Sequence, residues 1–523
     1  MSKIKVLDCT LRDGGYINDW KFGVEKSKII IDLLQNANLD YIEVGFLTTE
    51  NSAKEQTLFD SFEKIKTFLP TDLDDKHRIL GMITYGKFSI ELVPDVKDSP
   101  IGGIRVIFKK NQKEEALEYC KAIKKKGYKL FINPTFTDQY SDEELLFLLR
   151  EIQKIHPSGL SIVDSMGVMK EKDLLRLYYI IDNNISGDVA LCFHSHNNLQ
   201  LSFSNAQCLM KICNNRELII DSTIFGMGRG AGNLCTELIT QYINDNYNGN
   251  YNLVPILKIV DEYINPIFVK IPWGYSVPYY LAAKNHCHPN YAKYLVDKQS
   301  VPVEIINELL NAIPNDKKAG YDINLIMQIY LDNFSHNIDD SDVVKTLKQK
   351  VCNKDILILA PGKSLSKEEN KIREFINAKK PYIISLNFIP KDYEISTAFV
   401  SNMKRFSSLE DYNKPMLVTS NIQDIPRKAM VLNYSSYLNN SKLYDNAALM
   451  CIKLLIKVGV KKVYIAGLDG FSNIPIENYV SNSMINNAKE REFAERNTIM
   501  SEELKNFSKK LQLCFITKSL YII

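Results

Sequence analysis

The chain has 523 residues. That exceeds the ~250 residues of a large single α/β barrel, so one compact unit is excluded and two or three are expected. Apolar residues make up 45% and charged residues 24%, a globular mix that excludes global disorder. The 65 basic and 62 acidic side chains leave a net charge of +3, too small a sum over this length to mark a nucleic-acid binder.

The N-terminus, Met1-Ser2-Lys3-Ile4-Lys5-Val6-Leu7-Asp8, meets a carboxylate before an apolar leader can develop. No later run reaches the ~20 apolar residues of a membrane helix. The ten cysteines are scattered, with no C-x-x-C pair. A cytoplasmic protein without a membrane span is expected.

Up to about residue 250, short apolar runs alternate with helical stretches, the pattern of βαβ crossovers. Eight strands are predicted: Ile4 to Asp8, Tyr41 to Gly45, Arg78 to Ile83, Gly103 to Phe108, Lys129 to Asn133, Leu160 to Asp164, Val189 to His194 and Leu218 to Ile224. Each is near-continuously apolar, as strands buried on both faces should be. Between them, Ile29, Ile30, Leu33, Leu34 and Ala37 have helical spacing, and Ser141 with Glu144 forms a capping box. Eight regular units predict a (β/α)8 TIM barrel over 1–250 rather than an open sheet. From 251 to 350 helical runs dominate, including Val303 to Ile313 and Leu325 to Leu331, and are expected to cap the barrel. Over 353–523 strands return at Ile356 to Leu359, Tyr382 to Leu386, Met416 to Thr419 and Lys462 to Ala466, with a helix through Ala448, Ile452, Leu455 and Ile456. This predicts a second α/β, Rossmann-like domain.

The first strand runs into Leu11-Arg12-Asp13-Gly14-Gly15, placing a guanidinium and a carboxylate where barrel active sites are built. The same dipeptide also fits a salt bridge or a helix cap. The seventh strand ends His194-Ser195-His196, and residues two apart on a strand share a face, so both imidazoles can reach one ion. In a closed barrel Asp13 would add a hard oxygen. That set suits Mn²⁺, Mg²⁺ or Co²⁺, with Zn²⁺ a weaker match without thiolates. The eighth strand leads into Gly226-Met227-Gly228-Arg229-Gly230-Ala231-Gly232-Asn233, too late in the chain for a dinucleotide fingerprint. It reads instead as a turn that lets backbone approach a ligand, with Asn233 offering a further oxygen.

Asp8-Cys9-Thr10-Leu11-Arg12-Asp13-Gly14, His194-Ser195-His196 and Gly230-Ala231-Gly232-Asn233-Leu234-Cys235-Thr236-Glu237 together resemble three motifs of the metal-dependent pyruvate aldolases and lyases, the DRE-TIM metallolyases, and in particular their 4-hydroxy-2-oxovalerate aldolase branch. Trp273-Gly274-Tyr275 through His288-Pro289-Asn290-Tyr291 looks like the helical region after the barrel in that branch. The resemblance implies that Asp13, His194 and His196 bind a divalent ion, with Asn233 as a further ligand, and that Arg12 stabilises an enolate. Glu43 and Asp164, at strand ends, read either as acid–base groups or as carboxylates that orient Arg12 or a histidine. Where those aldolases carry a basic histidine three residues after the metal aspartate, this chain has Tyr16. A phenol is a weak base at neutral pH, so Tyr16, Asp19 and His288 are the replacement candidates, against packing for Tyr16 and a cap for Asp19. His286 and His288 on one helix would diverge by about 200°, which argues against a second metal site.

In the second domain Gly362-Lys363-Ser364 lacks the earlier glycine of a Walker loop, leaving Gly362 and Ser364 as an anion cradle. With Tyr464-Ile465-Ala466-Gly467-Leu468-Asp469-Gly470 it faintly resembles the Rossmann-type domains of bacterial sialyltransferase-like proteins, which implies nucleotide or nucleotide-sugar binding; a structural or oligomerisation role is the alternative. The expected function is thus a lyase acting on a small keto acid and an aldehyde, the aldehyde sugar-derived, in a homo-oligomer that binds no nucleic acid. A transferase carried by the second domain, and a non-catalytic metal-binding scaffold, are its rivals.

Overall fold

The computed structural model describes residues 3–50, 52–409, 414–426, 428–472, 474, 477–481, 484 and 490–521. Two compact units emerge, one of residues 1–290 with 318–320, the other of 291–317 with 321–523. The helical segment 251–350 contributes to both.

In the first unit nine parallel strands run β1 (Ile4–Asp8), β2 (Tyr41–Leu47), β3 (Leu58–Phe59), β4 (Ile79–Thr84), β5 (Gly103–Phe108), β6 (Lys129–Pro134), β7 (Gly159–Asp164), β8 (Ala190–Ser195) and β9 (Leu218–Ser222). Their order is β1-β9-β8-β7-β6-β5-β4-β2-β3, and β1 also pairs with β2, which closes eight of them into a (β/α)8 barrel with β3 as an outrigger on β2. The apolar runs are buried as predicted: β2, β7, β8 and β9 are buried at every position. The last strand stops at Ser222 rather than Ile224, because Phe225 adopts a left-handed backbone with φ 54° and turns the chain. The capping box over Ser141 and Glu144 forms in both directions, at 3.2 and 2.9 Å, and starts helix Asp142–Ile155.

First and last strands are riveted at the barrel's C-terminal rim. Asp8 accepts hydrogen bonds from Thr10 N (2.9 Å), Thr10 Oγ1 (3.0 Å) and Thr236 Oγ1 (2.7 Å), and Ile224 N donates to Thr10 Oγ1 at 2.7 Å. Burial pushes the Asp8 carboxyl up to about 6, against the pull of those donors.

The second unit is an open, all-parallel sheet of β10 (Ile356–Leu359), β11 (Tyr382–Leu386), β12 (Thr397–Val400), β13 (Met416–Thr419), β14 (Met430–Leu432), β15 (Lys462–Ala466) and β16 (Gln512–Phe515). Their order is β14-β13-β12-β11-β10-β15-β16, so strand order reverses beside β10. Four of these strands match the sequence reading; β12, β14 and β16 were not legible, being three or four residues long, with β16 half-exposed. Within this unit Lys298 pairs with Asp445 at 2.9 Å beneath the rings of Tyr444 and Tyr330. No described helix is long and apolar enough to cross a membrane.

Candidate active site

Closure of the barrel brings Asp13, His194 and His196 together: one ligating atom from each lies within 4.8 Å of the others, and all three residues are buried. Asp13 follows β1 on a single helical turn, Thr10–Asp13, whose Arg12 carbonyl accepts a hydrogen bond from Trp20 Nε1 at 2.8 Å. The two imidazoles stand at 86° to one another with centroids 5.3 Å apart.

Burial alone would raise the Asp13 carboxyl, but Arg12, His196 and His194 hold it below the usual carboxylate range. His194 Nδ1 meets Asp221 Oδ2 at 3.1 Å, which fixes the proton on Nδ1 and leaves the Nε2 lone pair 3.8 Å from Asp13 Oδ2. Burial lowers His196 to about 3, so its imidazole is neutral at pH 7. Asn233 donates from Nδ2 to Asp13 Oδ2 (2.5 Å) and to the Met227 carbonyl (3.3 Å); two acceptors on that side fix the amide's orientation. Its Oδ1, like His196 Nδ1, is buried with no hydrogen-bond partner. A carboxylate, two imidazoles and orphaned acceptors in one buried cluster fit a divalent cation, the group that would satisfy them.

Arg12 is 4% exposed and bonds Asp13 Oδ1 through Nη1 (2.5 Å) and Glu43 Oε2 through Nε (2.7 Å). Desolvation opposes its charge, yet Glu43 and Asp13 keep it protonated. Glu43 in turn accepts from Arg105 at 3.3 Å, and Arg105 also bonds Asp221. A continuous buried ladder, Arg12–Glu43–Arg105–Asp221–His194, therefore runs beneath the cluster. Sequence reasoning placed Glu43 near Arg12 but missed Arg105 and Asp221, whose signal was a charge in the middle of an otherwise apolar strand.

The other predicted residues divide. Both Asp164 oxygens accept backbone amides of their own turn, from Val168 (2.9 Å) and Met169 (3.0 Å), and burial pushes the carboxyl up to about 7. Tyr16 stacks edge-on against Trp20 at 4.8 Å and lies under the Arg229 guanidinium at 5.3 Å. Desolvation of its hydroxyl raises the phenol pKa, as does Asp13, so it is protonated at neutral pH. Asp19 ends helix Gly15–Asn18 with a left-handed φ of 55°, a capping position. His288 lies beyond helix Val277–Lys284, not on it, and its Nε2 meets Arg229 Nη1 at 3.1 Å. Ser364 gives its amide (2.7 Å) and hydroxyl (2.5 Å) to Asp469, so a carboxylate of the chain occupies the turn read as an anion cradle, and a Cβ on Gly362 would meet Gly467 O at 2.3 Å.

Burial and the Arg229 charge hold His288 down to about 3, whereas an unfolded imidazole titrates near ~6.5. Between those values the unfolded chain binds the extra proton, so stability rises with pH across the window and falls on acidification below ~6.5. Urea midpoints measured from pH 7 to pH 5 should show His288→Gln losing part of that acid sensitivity; an unchanged slope would refute the depressed value.

The Gly-rich turn shapes this rim. Gly230 has φ +69°, and a Cβ there would sit 2.6 Å from Asn198 Oδ1, the atom that accepts Ala231 N at 2.8 Å. Residues 3–261 match the HMGL-like family. The barrel is an HMGL-like domain. It therefore belongs to a metal-dependent aldolase and lyase superfamily. Among its relatives are oxaloacetate decarboxylase of Mycobacterium tuberculosis, 24% identical over 234 residues (45% of this chain, 68% of that protein). The 4-hydroxy-2-oxovalerate aldolase of Pseudoalteromonas translucida is 22% identical over 277 residues (51% and 77%). A solved structure of the N-terminal domain of a proposed aldolase from Bacteroides vulgatus superposes with TM-score 0.47 at 27% identity, covering 56% of this chain and 96% of that one.

Proposed function

We propose that the HMGL-like barrel is an aldolase that makes or breaks a carbon–carbon bond next to a pyruvate-type ketone, with Asp13, His194 and His196 as the metal ligands and Asn233 Oδ1 beside them. The observation that carries this reading is the convergence of those three ligating atoms within 4.8 Å beside the buried, permanently charged Arg12. A divalent ion bound there supplies Lewis-acid polarisation of the keto oxygen.

The chain's own residues do the rest. Arg12 faces the negative charge that develops as C3 of the keto acid loses a proton or a carbon, and Glu43 with Asp13 fixes its orientation in advance. Asp221 holds His194 in one tautomer. Tyr16 is a phenol at working pH and Asp19 caps a helix, while His288, whose Nδ1 accepts the Asn290 amide, presents Nε2–H as a donor that orients a substrate oxygen.

Pyruvate incubated with the protein and Mn²⁺ in heavy water should acquire deuterium on its methyl group, and a chelator should abolish the exchange. Pyruvate that binds without exchanging would sink the reading.

A further inference from the structure

Among the described residues, the arginines that touch the ladder or barrel core have carboxylate partners: Arg12 has Asp13 and Glu43, Arg105 has Glu43 and Asp221, and Arg216 has Asp182. Arg229 makes no ion pair among the described residues, and its Nε is buried without a hydrogen-bond partner. The turn that carries it is fixed from below by Asn198, which is 1% exposed and bonds both Ala231 N and the Met166 carbonyl. Its guanidinium lies over Tyr16 and against His288, close enough to His196 for its charge to be felt there. A cation placed so firmly, without a counter-charge, at the rim of a site is built to meet an anion.

The contact with His288 points the same way. His288 Nδ1 accepts the Asn290 amide at 3.1 Å, so the proton of the neutral ring sits on Nε2. Nε2–H and Arg229 Nη1–H, 3.1 Å apart, are then two donors turned toward one another. An oxygen that accepts from both resolves this, and a carboxylate or phosphate offers such oxygens. Exposure sets the direction: Arg12, Asp13, His194 and His196 are at most 6% exposed, whereas Tyr16 is 36% exposed. Arg229 is itself only half-buried and thus lies toward solvent from the reacting centre.

Resting on the aldolase reading above, we infer that Arg229, with His288, binds an anionic group on the aldehyde side of the substrate, so that the aldehyde is acidic: a carboxylate or a phosphate ester. The aldol step balances without a redox partner: C3 of pyruvate gives up a proton, bonds to the aldehyde carbon, and the aldehyde oxygen gains a proton.

The test uses the metal-loaded full chain and probes paired by carbon chain, succinic semialdehyde against butanal, and glyceraldehyde 3-phosphate against glyceraldehyde. Binding is read by saturation-transfer NMR and condensation with pyruvate by product formation. At least about a tenfold preference for one acidic probe over its neutral partner is expected, which tells carboxylate from phosphate. In Arg229→Met the preference should shrink to within about threefold, chiefly through KM for the aldehyde, and Arg229→Lys should restore part of it. Equal binding of acidic and neutral probes by the unmodified protein, or equal weakening of both in Arg229→Met, would overturn the inference. So would an Arg229→Met variant that slows pyruvate methyl exchange as much as condensation, because Arg229 would then serve the keto acid. A lack of methyl exchange in the unmodified protein sinks the aldolase reading itself; methyl exchange without acid preference sinks only this one.

Discussion

Replacing Arg12 by alanine should cost about 10²–10³ in the rate of pyruvate methyl exchange, the range seen when one preorganised donor to a developing oxyanion is removed. The effect is large because Arg12 is not a flexible surface cation. It is 4% exposed, and two carboxylates define its position before substrate arrives. Arg12→Lys should recover little, since an ammonium cannot bond Asp13 and Glu43 through separate nitrogens in one plane. The measurement is deuterium incorporation at saturating pyruvate and metal, with metal affinity determined separately. An Arg12→Ala enzyme within threefold of the parent rate would remove Arg12 from the chemistry.

Replacing Arg105 by leucine should be the most damaging change to the barrel's stability. Arg105 is fully buried and stands between Glu43 and Asp221, themselves buried. Its loss leaves two carboxylates facing each other across an apolar side chain, a break of a buried ion pair that costs about 3–5 kcal/mol. The urea midpoint of the barrel transition should fall accordingly while the second unit's transition stays in place. A partner experiment isolates the ladder's other purpose. Asp221→Asn keeps the shape but weakens the hold on His194 Nδ1, and divalent-metal affinity should fall by about 10–100-fold. If metal affinity is unchanged while stability drops, the ladder is purely structural.

The barrel was legible from the chain because its strands are buried on both faces and therefore read as near-continuous apolar runs, recurring eight times with helical spacing between them. Asp13, His194 and His196 were legible because metal chemistry requires particular residue types at strand ends. The ladder was not: Arg105 and Asp221 lie 116 positions apart, and only closure of the barrel makes them partners. Arg229 was overlooked for a different reason. It sits among glycines, which were read for the backbone freedom they give, so the one charged side chain of the turn passed unremarked. His288 lies past the end of helix Val277–Lys284, so the case of two histidines on one helix, weighed against a second metal site, does not arise. The three short strands of the second unit escaped because three or four residues carry too little periodicity to register.

The rivet between the first and last strands bears on how the protein is made. Asp13 and Asn233 are 220 residues apart, and Asp8 and Thr236 are 228 apart. A growing chain that has not yet reached β9 carries Arg12 and Asp13 on an unpaired rim, and contacts of such long range form late and slowly. Cation binding at this cluster would therefore report closure of the barrel, well before the second unit is made: a ribosome-stalled fragment ending before Asn233 lacks the contacts that hold Asp13 and Asp8 in place.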